Sequence, residues 1–209
     1  MSPGTRHAEQ VYLDLKEALL SGRYVGSTDL SIAVLASEFG TSPSPIRDVL
    51  HRMYGERLLQ AGQHHGFRII DWTPEGLCDC YTWHGQLIRM ALKSRARQNM
   101  QRPIAPDGWV TDYTSSAAIV GTAERMFLAL AAASQSAEIV AAIANAGERL
   151  RSVRLRELDR WPDCADELRR ANMLAVSGTG KALLEMLWNY HRRRIRAAPM
   201  LCEWQANNS

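Results

Sequence analysis

The chain has 209 residues, 25 Lys plus Arg against 22 Asp plus Glu, a formal net charge of +3, and 46% hydrophobic residues. That length suits one large domain or two small ones, and the apolar fraction is enough for packed cores, which excludes a disordered or fibrous chain. The start, Met1 to Gln10, has no basic stretch followed by an apolar one, and the longest apolar region, Ala117 to Ala146, is interrupted by Glu124, Arg125 and Glu138. Neither a signal peptide nor a membrane segment is therefore expected. Four cysteines (Cys78, Cys80, Cys164, Cys202) make no disulfide framework, so the expected compartment is the cytoplasm. The Cys78-x-Cys80 pair has no second pair or histidines at ligand spacing and reads as two small residues on a helix.

In chain order, Val11, Leu15, Ala18 and Leu19 repeat at helical spacing until Ser21-Gly22 stops them. After Leu30-Ser31, the residues Val34, Leu35 and Phe39 mark a short second helix that ends at Gly40. Thr41-Ser42-Pro43-Ser44-Pro45 follows, and proline is tolerated in a helix's first turn, where its missing N–H had no partner. Ser42 is thus expected to cap a third helix, Ser42 to Arg57, with Ile46, Val49, Leu50 and Met53 inward and Arg47, His51 and Arg52 outward. Leu58 to Ala61 and Phe67 to Ile70 flank Gly62 to Gly66 as a small hairpin. Short helix, glycine turn, second helix and hairpin together predict a winged helix-turn-helix, whose second helix enters a major groove.

The sequence texture changes at Asp71-Trp72-Thr73-Pro74-Glu75, which predicts a winged helix-turn-helix domain over 1–72 and an all-helical domain over 73–209, a mainly α chain. Helices are expected near 75–99, 112–134, 136–159, 164–177 and 181–197. The third carries Ile139, Ile143, Ala146, Leu150 and Val153 on one stripe, with Arg149, Arg151, Arg154 and Arg156 expected elsewhere on its surface. Trp161-Pro162 ends it, and Gly178-Thr179-Gly180 separates the last two. Gly178-Thr179-Gly180-Lys181 is not a phosphate loop, because Ala175 and Ala182 occupy the glycine and hydroxyl positions and no strand precedes it. Arg192, Arg193, Arg194 and Arg196 are expected in a last helical turn as solvated charges.

Leu30-Ser31, Leu35-Ala36-Ser37-Glu38-Phe39-Gly40-Thr41-Ser42, Pro45-Ile46-Arg47-Asp48-Val49-Leu50, Arg52-Met53 and the wing at Gly66 closely resemble the N-terminal domain of the GntR family of bacterial transcription regulators. The resemblance runs from about Ala8 to Trp72. It implies DNA contacts from Ser42, Arg47 and Gly66, to which the basic and polar face adds Ser44, His51, Arg52, His65 and Arg68. Two positions depart from the pattern. Pro43 stands where a base-reading arginine is usual, a loss of about 1–3 kcal/mol in discrimination, and Ala33 stands where a charge is common. Positions 1–72 hold seven basic and eight acidic residues, so any positive patch is local.

The second half resembles, more faintly, the effector-binding (FCD) domain of the FadR and VanR branch, through Leu77, Cys80-Tyr81, Met126 to Ser134 and the helix holding His191. That resemblance implies a metal held by an aspartate and three histidines, yet Ala123, Phe127 and Arg169 fall at three of those positions and only His191 remains, so no metal and no other cofactor is expected. Tyr81, His84, Phe127, Arg169, Trp188 and His191 are the expected effector-binding residues, with Arg169 pairing an organic acid. The family implies a homodimeric, ligand-responsive regulator, mostly a repressor, on a palindromic operator. No G-x-S-x-G or H-E-x-x-H motif suggests an enzyme. The alternative, drawn from Pro43, Ala33 and the local charge, is a helical interaction module that has lost specific DNA recognition.

Overall fold

A computed structural model of the chain describes residues 3–24, 29–62, 66–97, 111–177 and 180–207. The fold is mainly α and divides into two compact units, Met1–Trp72 with Trp204–Ser209, and Thr73–Glu203.

The first unit contains α1 (Pro3–Leu20), β1 (Asp29–Leu30), α2 (Ile32–Glu38), α3 (Pro43–Gly55), β2 (Leu59–Ala61) and β3 (Phe67–Ile69). The expected hairpin gains a third strand: the order is β1-β3-β2, all antiparallel, with Leu30 opposite Phe67 and Leu59 opposite Ile69. Leu30 is buried, as are Phe67 and Ile69 on either side of half-buried Arg68, so period-two alternation puts one sheet face on the core. Ser31 caps α2 by accepting from the Val34 N–H at 3.4 Å, and Gly40, at φ +59°, supplies the left-handed residue after it. The expected cap at Ser42 is not made: its side chain accepts no bond from α3, and Pro43 at the first turn has no N–H to offer. The helix stops short of Arg57, which takes φ 58°, while Leu58 N–H returns to Met53 O at 2.9 Å. Leu15, Leu35, Ile46, Leu50, Met53 and Phe67 fill the interior. Burying each such side chain is worth about 1.5–3 kcal/mol.

The second unit is a bundle of α4 (Pro74–Arg97), α5 (Ser116–Ala132), α6 (Ala137–Arg160), α7 (Cys164–Ser177) and, as far as Glu203, α8 (Gly180–Asn207). Hydroxyl caps open three of them: Thr73 accepts from Gly76 N–H at 3.1 Å, Ser115 from Ala118 N–H at 3.2 Å, and Ser136 from Ile139 N–H at 3.3 Å. As expected, α6 ends against Trp161. The last helix runs on to Asn207 with Pro199 inside it, so Arg192 to Arg196 lie mid-helix and not in a final turn, where the dipole would have favoured them. Proline removes the N–H that would reach the carbonyl four residues earlier. The Cys78 thiol on α4 donates to that carbonyl, Ile195 O, at 3.2 Å. Leu87, Ile88, Ala91, Met126, Phe127, Leu130, Ile143 and Leu187 form the apolar centre. Gly85 lets α4 meet α8 closely, since a Cβ there would lie 3.0 Å from the His191 ring.

Candidate DNA-reading surface and the polar centre of the bundle

On α3 the inward residues Ile46, Val49, Leu50 and Met53 leave Ser44, Arg47, Asp48, His51 and Arg52 exposed on the opposite side. Ser42, just before the helix, is exposed as well, and its hydroxyl is not spent on capping. Arg47 makes no ion pair or hydrogen bond to another described residue, so its fork is free to approach a base edge or a phosphate.

Arg52 is differently placed from Arg47. Its guanidinium stacks 3.5 Å from the Tyr12 ring centroid and bridges Glu9 at 2.8 Å and Glu56 at 3.2 Å, which turns it toward α1. Tyr12 in turn donates to Glu56 at 2.8 Å and accepts from Lys16 at 2.9 Å. Arg52 therefore lies on the exposed face expected for it and, unlike Arg47, braces α3 against α1. His51 packs edge-on to Phe67 at 4.9 Å between centroids. Arg68, half-buried on β3, lies 3.7 Å from Asp29 across the strand pair. Gly66 accepts from Gly62 N–H at 2.8 Å at the base of the wing, and His65 falls outside the described residues.

In the bundle the sequence expected six residues to face one interior. Tyr81, His84, Phe127 and His191 do, each no more than 2% exposed. Arg169 and Trp188 do not. Arg169 lies opposite the inward stripe Cys164, Leu168, Ala171 and Ala175, pairing with Asp166 at 2.5 Å and resting over Tyr113. Trp188 is 45% exposed, because Leu187, Tyr190 and His191 occupy the inner face of α8.

Two arginines read as surface residues take their place. Arg154 continues the buried α6 stripe Ile143, Ala146, Leu150 and on to Glu157 by steps of three and four, and Arg194 is the largest fully buried side chain. Arg194 is satisfied: it bonds Glu157 at 2.8 Å, Glu167 at 2.9 Å and Tyr190 O at 3.0 Å, with Tyr81 donating to the other Glu157 oxygen. Arg154 is not satisfied to the same degree. Its Nη2 lies 3.4 Å from His84 Nε2 and its guanidinium 5.0 Å from the Phe127 centroid, but Nε and Nη1 are buried without a hydrogen-bond partner. The spacing that placed Ile143 and Leu150 inside would have found Arg154 had charge not been read as exposure.

The histidines form a chain of fixed direction. His191 Nδ1 lies 2.7 Å from Leu187 O, a group that only accepts, so Nδ1 carries the proton and Nε2 the lone pair. His84 Nδ1, 2.7 Å from that Nε2, must donate to it, which leaves His84 Nε2 to accept from Arg154. Burial, then Arg154, pushes His84 well below the usual histidine range; burial takes His191 down to about 3 despite its bond to Leu187. Both imidazoles are neutral with both lone pairs engaged. A metal at His191 would have to displace His84, and Ala123 and Phe127 beside it have no donor atoms. Among the described residues no three His, Cys, Asp or Glu side chains converge on a metal-sized site.

Residues 7–69 match the model of the bacterial regulatory proteins of the gntR family. Over 84 residues the chain is 29% identical to YdhC, an HTH-type transcriptional regulator of Bacillus subtilis (strain 168), a match covering 40% of this chain and 38% of that relative's length. In fold, the chain is similar to a transcriptional regulator GntR from Rhodococcus sp. RHA1, with TM-score 0.71 and 14% identity over 91% of this chain and 96% of the other. It is also similar to E. coli McbR/YncC, with TM-score 0.64 and 16% identity over the whole of both chains.

Proposed function

We propose that this helix-turn-helix transcription regulator of the GntR type, which is not an enzyme, binds a palindromic operator as a homodimer and is switched by a small anionic effector held in its helical unit. The observation that carries the DNA half is Arg47, exposed and unpaired on the outer face of α3 in a winged helix whose opposite face is wholly committed to the core. A helix of that kind fits the major groove, with Ser42 and Ser44 at its start positioned for phosphate and base contacts and Gly66 at the wing. One winged helix reads one half-site, so two copies related by a twofold axis select two half-sites about one helical turn apart. The chain would act where its DNA is, in the cytoplasm.

Selection of bound duplexes from a random pool by the full chain tests this. A palindromic consensus that Arg47→Ala abolishes supports the reading. Enrichment of nothing favours the other reading, a helical interaction module, for which Pro43 in place of a base-reading side chain is the specific observation.

The effector half rests on Arg154. A buried guanidinium with two unpartnered nitrogens is costly, and an anion that reached them would recover that cost. The void beside Arg154 is lined by Val120, Ala123, Glu157, Tyr190 and Arg194, while His84 and Phe127 touch the Arg154 guanidinium itself. That void is about 10 Å³, room for roughly one water. A larger anion would enter by displacing lining residues such as Ile119 and Val120 on α5, and such a displacement is what a ligand needs in order to favour one arrangement of the dimer over another. Repression is the sense proposed here. Thermal stabilisation by formate or acetate, absent in Arg154→Met, is the expected result; equal stabilisation of both proteins would remove Arg154 from the site.

A further inference from the structure

Outside the bundle centre, α8 and the corner after α6 border a shallow, open recess of about 420 Å³ lined by Trp161, Asn189, Arg192, Arg193, Arg196, Ala197 and Met200. Its volume lies in the range of small-molecule sites, about 300–1,000 Å³. Three observations give it a chemistry. The first is charge: Arg193 is neutralised by Asp163 through two bonds of 2.8 Å, whereas Arg192 and Arg196, one turn apart on the same face, make no ion pair or hydrogen bond with any described residue. Asp163 is thus spent on Arg193, and two cations are left over.

The second is the floor. Trp161 is fixed at the end of α6, where its N–H returns to Glu157 O at 2.8 Å, and Arg193 lies 4.5 Å from its ring centroid. Together with Ala197 and Met200, which is 38% exposed, it gives an apolar base to a cationic rim. The third is position. Arg192, Arg196 and Met200 recur at steps of four along α8, so both forks and the thioether face one side of one rigid element. Guanidinium forks suit planar carboxylates bidentately, and an aromatic floor with a flexible thioether suits an apolar body.

We propose that this recess binds an organic anion with an apolar body, an aryl carboxylate, whose carboxylate is held by Arg192 and Arg196 and whose ring lies against Trp161 and Met200. The site is separate from the Arg154 centre and does not depend on α3 reading DNA.

Calorimetric titration of the full-length protein with 2-naphthoate tests it, with 2-naphthalenemethanol, inorganic phosphate and a short DNA duplex as comparison ligands. The expected result is one naphthoate per chain, no measurable binding of the neutral alcohol, and phosphate at least about tenfold weaker, equivalent to roughly 1.4 kcal/mol. Arg192→Gln with Arg196→Gln is expected to weaken naphthoate by tenfold or more. Met200→Glu, which places a negative charge at an exposed edge of the floor, is expected to do the same while leaving the melting temperature unchanged. Naphthoate binding that survives both variants overturns the proposal. Phosphate binding as tight as naphthoate overturns it in favour of bare charge attraction, and stoichiometric displacement of naphthoate by the duplex overturns it in favour of a nucleic-acid contact. Operator binding by the double variant at the wild-type level would show that a failure here leaves the function proposed for α3 intact.

Discussion

The two units keep their polar chemistry in opposite places. In the winged helix the buried residues are apolar, and its charges, Arg47 free and Arg52 braced, lie on the outside. In the bundle, His84, Arg154, Glu157, Glu167, His191 and Arg194 are all buried, tied through the histidine chain and the Glu157 carboxylate. A reader of DNA needs a rigid body with reactive groups on its face, and an apolar core supplies that rigidity without conditions attached. An interior built from charges is conditional: it is secure only while every partner is present, and its stability depends on pH.

The largest effect that would break this contrast is at Glu157. Replacing it with alanine leaves the Arg194 Nε and the Tyr81 hydroxyl buried without partners, Arg194 keeping Glu167 and Tyr190 O, and the expected loss is about 3–5 kcal/mol of unfolding free energy in urea. A loss below about 1 kcal/mol would mean that water reaches the network. Next is acid. His84 and His191 are held neutral in the fold while free histidine titrates near 6.5, so below that pH the unfolded chain binds more protons and the folded state loses ground. Stability is expected to fall by about 1.4 kcal/mol per pH unit on account of His191 as pH drops from 6.5 toward 3, with His84 adding a loss of the same sign. Unfolding midpoints measured across that window should lose part of this slope in His84→Phe.

At the outer face the expected effects concern binding. Arg47→Ala should weaken operator binding by about 1–3 kcal/mol with no change in melting temperature. Arg52→Ala should lower stability as well, by roughly 0.5–1 kcal/mol, since it removes a half-exposed ion-pair network and a stacked ring contact. Identical behaviour of the two variants would erase the distinction drawn between them. The smallest expected effect is a gain. Arg57 ends α3 at φ 58°, a conformation glycine adopts without strain, so Arg57→Gly should raise stability by about 0.5–1 kcal/mol in thermal unfolding.

Periodicity made α2 to α7 legible to within about four residues at each end, because an apolar stripe and a breaker such as Trp161-Pro162 are local signals, whereas the one cap expected, Ser42, is not made. The third strand was not legible. Asp29-Leu30 is too short to carry a pattern, and its pairing with β3 is a long-range event. Nor could local signals show that α8 continues through Pro199, since the carbonyl freed by the proline finds its donor on α4, far away in sequence. The polar centre was half legible. Aromatic and histidine residues were expected inside, but Arg154, Glu157 and Arg194 were not, because charge in a sequence implies solvent unless a partner is known. Conversely, Arg169 was expected inside only by alignment with a metal ligand, and its helix turns it toward Asp166.

The bond from the Cys78 thiol to the Ile195 carbonyl ties the reactivity of one sulfur to the seating of α8 on α4. Burial raises Cys78 above an ordinary thiol, but it is less enclosed than Cys80 and Cys164. An alkylating reagent should therefore label Cys78 ahead of those two, and faster in any variant that lifts the middle of α8 away from the start of α4.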